Sequence, residues 1–147
     1  METIAGMTYR IREVDGHDDE IIDTLSELHR LTFIYSAPVP DFTHGHWWLA
    51  YHETTPIAFA GIIPSTRESN AGYFSRVGVL PYHAGGLQLR FMRAIQRRSR
   101  REGWQTIVSD TTNNPRSANN FIRAGYKIYE PKYPWAFPQS IYWRKSL

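Results

Sequence analysis

The sequence predicts an α/β domain: a mixed, mostly antiparallel twisted sheet flanked by helices. Three observations carry that expectation. Short runs of β-formers alternate with segments of helical periodicity. Glycine and proline clusters separate most of the runs. The resulting order is strand, helix, three strands, helix, strand, helix, two strands, and an α/β order of this kind implies a mixed sheet.

Each element has its own signal. In residues 8–14, Tyr9 and Ile11 alternate with Arg10 and Arg12, which predicts a first strand. "DGHDDE" is a turn followed by acidic residues suited to a helix start. Ile21, Ile22, Leu25, Leu28 and Leu31 then repeat at helical spacing, predicting an amphipathic helix over residues 18–33. "SAPVPDFTHGH" breaks regular structure. Residues 47–52 and 57–63 read as two strands of a hairpin joined by "ETTP", and residues 73–80 as a fourth strand. Leu87, Phe91, Met92 and Ile95 form the stripe of a second helix ending at Gly103. A short strand over 106–110, a helix over 116–124 closed by Gly125, and strands over 126–129 and 140–144 complete the order.

The chain has 147 residues, which predicts a single domain over residues 1–147. It contains no cysteine, which excludes disulfides, zinc–thiolate sites and a cysteine nucleophile. Its opening, "METIAGMTYR", lacks the charged-then-apolar pattern of a signal peptide, and no apolar run is long enough to span a bilayer. The expectation is a cytoplasmic protein without a membrane partner. The formal charge is +3, but Arg90, Arg93, Arg97, Arg98, Arg100 and Arg101 crowd one segment. That cluster fits either an anionic partner, such as a phosphate or nucleic acid, or a solvated helix face. Aromatics make up 14% of the chain and concentrate towards its end.

Two stretches carry chemistry. In "PYHAGGLQLRF", paired glycines lie between the fourth strand and the second helix. A helix start offers N–H donors and partial positive charge to an anion, and glycine lets a ligand approach the backbone. A tight turn needing positive φ reads the same way. The second stretch is "NNPRSANNFIRAGYKIY". Together with the strand order, these stretches resemble the GCN5-related N-acetyltransferase superfamily over nearly the whole chain.

The family's pyrophosphate loop reads Gln/Arg-x-x-Gly-x-Gly/Ala. The helix stripe aligns His83 with its first position, Gly86 with the first glycine and Gln88 with the last. Only Gly86 matches outright, but backbone amides do most of the phosphate cradling. The resemblance therefore implies coenzyme A contacts at His83, Ala84, Gly85, Gly86, Leu87 and Gln88. In the second stretch, Asn114, Ser117, Phe121, Gly125 and Tyr126 fit the family spacing. Asn114, Ser117 and Phe121 are thereby assigned to the pantetheine side of the donor. The family often has a tyrosine, the acid for the leaving thiolate, where this chain has Phe121. A thiol with a pKa near ~8.5 can leave without a strong acid.

The resemblance also implies a sheet splayed between strands four and five. There the donor would pair with the backbone of Val77 and Val79, and the Val79 amide would face the developing oxyanion. The implied reaction moves an acetyl or other acyl group from acetyl-coenzyme A to a primary amine by direct attack, without a metal. Asp110, at the end of the fifth strand, is a candidate base; a cap for "TTNN" is its other reading. Tyr73 and His46 are further catalytic candidates. His44 and His46 lack an indicated third metal ligand. Alternatives are a nucleic-acid-associated modifier of base amines and a catalytically degenerate structural or binding module. The resemblance leaves the amine acceptor unspecified and allows a homodimer.

Overall fold

In a computed structural model of the chain, which describes residues 8–33, 37–83 and 86–147, the elements follow the predicted order. β1 (Arg10–Val14) precedes α1 (Asp19–Thr32). β2 (His46–His52), β3 (Thr55–Pro64) and β4 (Ala71–Val79) follow, then α2 (Leu87–Glu102). β5 (Thr106–Thr111), α3 (Pro115–Arg123), β6 (Lys127–Tyr129) and β7 (Ile141–Ser146) end the chain. The sheet runs β1-β2-β3-β4-β5-β7-β6. β4 and β5 are parallel; β1–β2, β2–β3, β5–β7 and β6–β7 are antiparallel. The α/β class with a mixed, mostly antiparallel sheet is thus the observed one.

The chain divides into two compact units. One extends to Ile63 and includes Ser75–Phe91; the other combines Pro64–Phe74 with Met92–Leu147.

In the first unit, α1 forms because its sequence supplies both a cap and an apolar stripe. The Asp18 carboxylate accepts hydrogen bonds from the amides of Glu20 (2.9 Å) and Ile21 (3.3 Å), and acidic residues fill the first turn. The stripe buries Leu25 and Leu28 against Phe42, Trp47, Leu49 and Phe59. β2 and β3 form the predicted hairpin, with Glu53 taking a left-handed φ of 55° in the turn. Gly61 faces Trp47 across it. A Cβ on Gly61 would come within 2.1 Å of the Trp47 ring, so the indole fits only against glycine.

The core of the second unit is aromatic. Phe121 of α3 stacks on Trp143 of β7 at 5.5 Å and 9°. Phe74 and Tyr126 meet the Phe121 ring edge-on, at 5.5 Å and 4.9 Å. The Trp143 indole donates to Thr111 Oγ1 at 2.9 Å, satisfying its one polar atom. Ile95 of α2 and Ile107 and Val108 of β5 are fully buried. β5 and β7 pair along their whole length, from Thr106↔Ser146 to Thr111↔Ile141.

Candidate functional site

Asp110, at the end of β5, gathers two side-chain hydrogen bonds on one carboxylate oxygen. Its Oδ2 accepts a hydrogen bond from the Tyr73 hydroxyl at 2.6 Å and another from the Trp135 indole N–H at 2.8 Å. Strand register brings the first pair together. Tyr73 lies opposite Val108 in the β4–β5 ladder, and Asp110 is two residues beyond Val108, so alternation puts both on one face. Trp135 comes from the β6–β7 connection, where its ring packs edge-on against Tyr142 at 4.6 Å. The Arg67 guanidinium lies 5.8 Å from the same ring's centroid. Arg144 extends this polar surface with a paired contact to Glu68, at 3.0 Å and 3.4 Å. Charge-assisted hydrogen bonds of this kind fix side-chain position more firmly than neutral ones. The arrangement can hold a tyrosine hydroxyl and a carboxylate in proton-transfer contact.

The cap reading of Asp110 is corrected by the geometry. Asn114 caps α3, accepting from the Ser117 amide at 3.1 Å, and Pro115 opens the helix at the position where its missing N–H costs nothing. Asn114 therefore uses its side-chain oxygen within its own helix. Ser117 is buried one turn on, and Phe121 is 2% exposed within the aromatic core. Beside it, the Tyr126 hydroxyl is buried with no hydrogen-bond partner among the described residues, and burial pushes this phenol well above its ordinary pKa.

The β4–β5 ladder is short. Ala71, Gly72 and Tyr73 pair with Thr106, Ile107 and Val108, and the register stops there although both strands continue. At the next step a side chain takes over: Ser109 Oγ donates to the Phe74 carbonyl at 2.9 Å. A buried carbonyl is satisfied without a further ladder bond.

In the first unit, the later part of β4 carries Val77 and Val79, both half-buried, and leads to Leu80 and His83. The Leu80 carbonyl accepts from the His83 amide at 3.2 Å, closing a turn. His83 Nδ1 lies 3.1 Å from the Tyr9 hydroxyl, and His52 stands 5.7 Å from the His83 ring. Ala84 and Gly85 lie outside the described residues. Gly86 adopts φ of 72°, and its carbonyl accepts the first helical bond from Arg90 at 3.1 Å. A Cβ at Gly86 would find no heavy atom within 4 Å. Leu87 anchors the helix at 1% exposure, Gln88 is half-buried, and no acidic residue lies in the first turn. Of the two glycine readings, this backbone fits both: a positive φ and an accessible helix start. An anionic pyrophosphate fits such a start, since the cap position has no side chain and its surroundings are open.

His46 opens β2 with Nδ1 3.5 Å from Glu13 Oε2. His44 is exposed, and its carbonyl accepts the Trp47 indole N–H at 2.8 Å. Among the described residues, no group of three or more His, Cys, Asp or Glu could hold a metal ion. No helix among them is long and apolar enough to cross a membrane. Sequence reasoning missed Trp135 and Arg67 beside Asp110, and Tyr9 beside His83. No local pattern marks them, because Trp135 is 25 residues from Asp110 and Tyr9 is 74 from His83.

No protein-family model matches the sequence, and no curated protein matches it. Solved structures do match in fold. A Desulfovibrio desulfuricans protein assigned to the GNAT family of acetyltransferases superposes with a TM-score of 0.76 at 13% identity, covering 95% of this chain and 99% of that one. A Bacillus subtilis acetyltransferase in complex with CoA gives 0.72 at 14% identity, covering 95% and 99%. An N-acetyltransferase from Thermoplasma acidophilum in complex with coenzyme A gives 0.68 at 14% identity, covering 96% and 100%. The seven-stranded order, the parallel β4–β5 pair and these superpositions together give the chain the fold of the GCN5-related N-acetyltransferase superfamily.

Proposed function

We propose that the chain is an acyl-coenzyme A-dependent N-acyltransferase that moves an acetyl or related acyl group to a primary amine. The observation that carries this reading is the start of α2. Gly86 holds φ of 72° in open space, and no acidic side chain lies in the first turn. A helix start of that kind attracts a pyrophosphate through its N–H groups and dipole. The likeness to two structures solved with coenzyme A supports the same choice of donor.

The thioester supplies the acyl carbon and a thiolate leaving group. The chain's residues hold the donor and manage the proton. Backbone of Val77 and Val79 lines the pantetheine arm, and the Val79 amide stabilises the oxyanion that develops on the carbonyl. The amides of Gly86, Leu87 and Gln88 cradle the pyrophosphate, with His83 nearby in sequence. The amine nitrogen bonds to the acyl carbon as the carbon–sulfur bond breaks. Its surplus proton needs a base, for which Asp110, which accepts from the Tyr73 hydroxyl, is the first candidate. His46, paired with Glu13, is the second candidate for that role.

A second reading, a GNAT-fold module without turnover, has its own support. Asn114 is spent as a helix cap, and Phe121 has no hydroxyl for the leaving thiolate. A panel of primary amines incubated with acetyl-coenzyme A, followed by thiol release, tests both. Amine-dependent thiol release supports transfer. Donor binding without release from any amine supports the module, and absence of donor binding contradicts the transferase.

A further inference from the structure

α2 concentrates the chain's positive charge. It carries six arginines, no lysine and one glutamate, a net +5, in a chain of formal charge +3, so the remainder is net negative. Helical periodicity sorts these arginines. Met92, Ile95 and Ser99 are buried. Arg93, Arg97 and Arg100, four and then three residues apart, lie on the opposite side and are exposed. Arg98, on the flank, lies 3.5 Å from Glu102, the one acidic residue of the helix. Arg93, Arg97 and Arg100 make no hydrogen bond or ion pair with any described residue. Like charges three and four residues apart destabilise a helix. The helix dipole offsets this for Arg100 in the last turn. Arg93 and Arg97 have no such offset, and an anion from outside the chain would relieve their repulsion.

The chemistry of this face narrows the anion. A guanidinium grips phosphate through two parallel N–H bonds, which an ammonium cannot do, and the helix uses arginine alone. From Arg93 to Arg100 is roughly 10 Å along the axis, too far for one phosphate to bridge and suited to a repeating backbone. No large apolar side chain of α2 is exposed, so the helix lacks the face that would enter a lipid surface. Its one aromatic, Phe91, is buried, so the bases of a single strand find nothing here to stack on. A duplex, with its bases turned inward and its phosphates outward, fits what remains.

We propose that the exposed arginine face of α2 binds the phosphate backbone of double-stranded nucleic acid without reading its sequence. The proposal goes beyond the transfer reading and does not depend on it. Arg93, Arg97 and Arg100 all lie in the second unit, past the helix start assigned to the donor.

Fluorescence anisotropy of a labelled, mixed-sequence DNA duplex, titrated with the chain at a series of salt concentrations and without any acyl donor, tests it. The logarithm of the affinity should fall linearly with the logarithm of salt. Replacing Arg93, Arg97 and Arg100 together by glutamine should weaken binding roughly tenfold or more at low salt and reduce the salt slope by roughly 3. Melting of that variant should hold or rise, because the helix loses like-charge repulsion. A charge-matched control, Arg116→Gln, Arg123→Gln and Lys127→Gln, removes three exposed charges elsewhere in the same unit and should change the slope by less than about 1. Absence of duplex binding, a slope that survives the arginine replacements, or an equal loss in the control overturns the assignment. So does tighter binding to the single strand, or to phosphatidylserine vesicles, than to the duplex. Displacement of the duplex by coenzyme A would assign these arginines to the donor's phosphates and overturn it as well. Loss of acetyl-coenzyme A binding in Gly86→Asp should leave duplex binding intact.

Discussion

The starts of α2 and α3 contrast in how they are closed. α3 is sealed by its own sequence: Asn114 accepts the Ser117 amide, and Pro115 removes one N–H that would otherwise need a partner. α1 is sealed the same way by Asp18. α2 begins at a glycine with φ of 72°, which offers no side chain to cap its amides. A helix that starts at glycine is less stable than one with a side-chain cap by about a few tenths of a kcal/mol. The chain gives up local stability at α2, and an anion is the partner that such a start attracts.

The largest expected effect breaks the contrast at α2. Gly86→Asp puts a negative charge at the open start, and aspartate tolerates positive φ better than most residues. The added side chain meets nothing within 4 Å of its Cβ, so the fold should survive. Affinity for acetyl-coenzyme A should fall roughly 100-fold or more through charge repulsion. Gly86→Asn, similar in shape but neutral, should lose far less. Equal losses in the two variants would locate the effect in the backbone instead of the anion.

The next effect concerns Asp110, whose partners come from outside its own strand. Asp110→Asn removes the acceptor charge shared by Tyr73 and Trp135. Turnover should fall at least about tenfold, most at low pH, where free amine is scarce. Melting should show a loss of about 1–2 kcal/mol, since charged hydrogen bonds are replaced by neutral ones. Tyr73→Phe keeps the Trp135 contact and should reproduce the rate loss. Normal turnover in Tyr73→Phe would take the phenol out of the proton path.

A smaller effect tests α3. Asn114→Ala should cost about 1 kcal/mol of stability. Acetyl-coenzyme A affinity should remain within about twofold, because the asparagine oxygen is committed to its helix. A large affinity loss with little change in melting would reverse the contrast and make Asn114 a ligand contact.

The smallest effect lies at the end of α1. His29 is 1% exposed, stacked on Phe33 at 4.6 Å, and its Nε2 accepts from Arg76 Nε at 3.4 Å. Burial first, and the Arg76 charge second, hold its pKa below the ordinary 6.5. The unfolded chain therefore binds a proton that the folded chain refuses. Stability from this group is complete above pH 6.5 and declines as pH falls from there towards the lowered folded value. His29→Phe should flatten the melting profile over that window. An unchanged profile would mean that other groups set the acid dependence.

Most of the fold was legible because it rests on local signals. The α1 stripe, the β2–β3 hairpin and the Gly103 stop each fall within a few residues of the observed element, since periodicity and caps act over one or two turns. The site was legible only where backbone carries it. "HAGG" announced a permissive turn, and Gly86 has the positive φ expected there. Side-chain pairings were not legible. Asp110 looked equally suited to capping the nearby turn, and only tertiary register reveals that Tyr73, 37 residues earlier, faces it. Asn114, which the family spacing assigns to a ligand, sits directly before proline, and that local pattern already fitted a cap.

The open start of α2 is proposed to receive the donor's pyrophosphate. Calorimetric titration of the unmodified chain with coenzyme A and with pantetheine, which lacks the phosphates, addresses it directly. Coenzyme A should bind roughly 100-fold or more tighter than pantetheine, and Gly86→Asp should erase the difference. Equal affinities in the unmodified chain, or a phosphate advantage that survives Gly86→Asp, would contradict it.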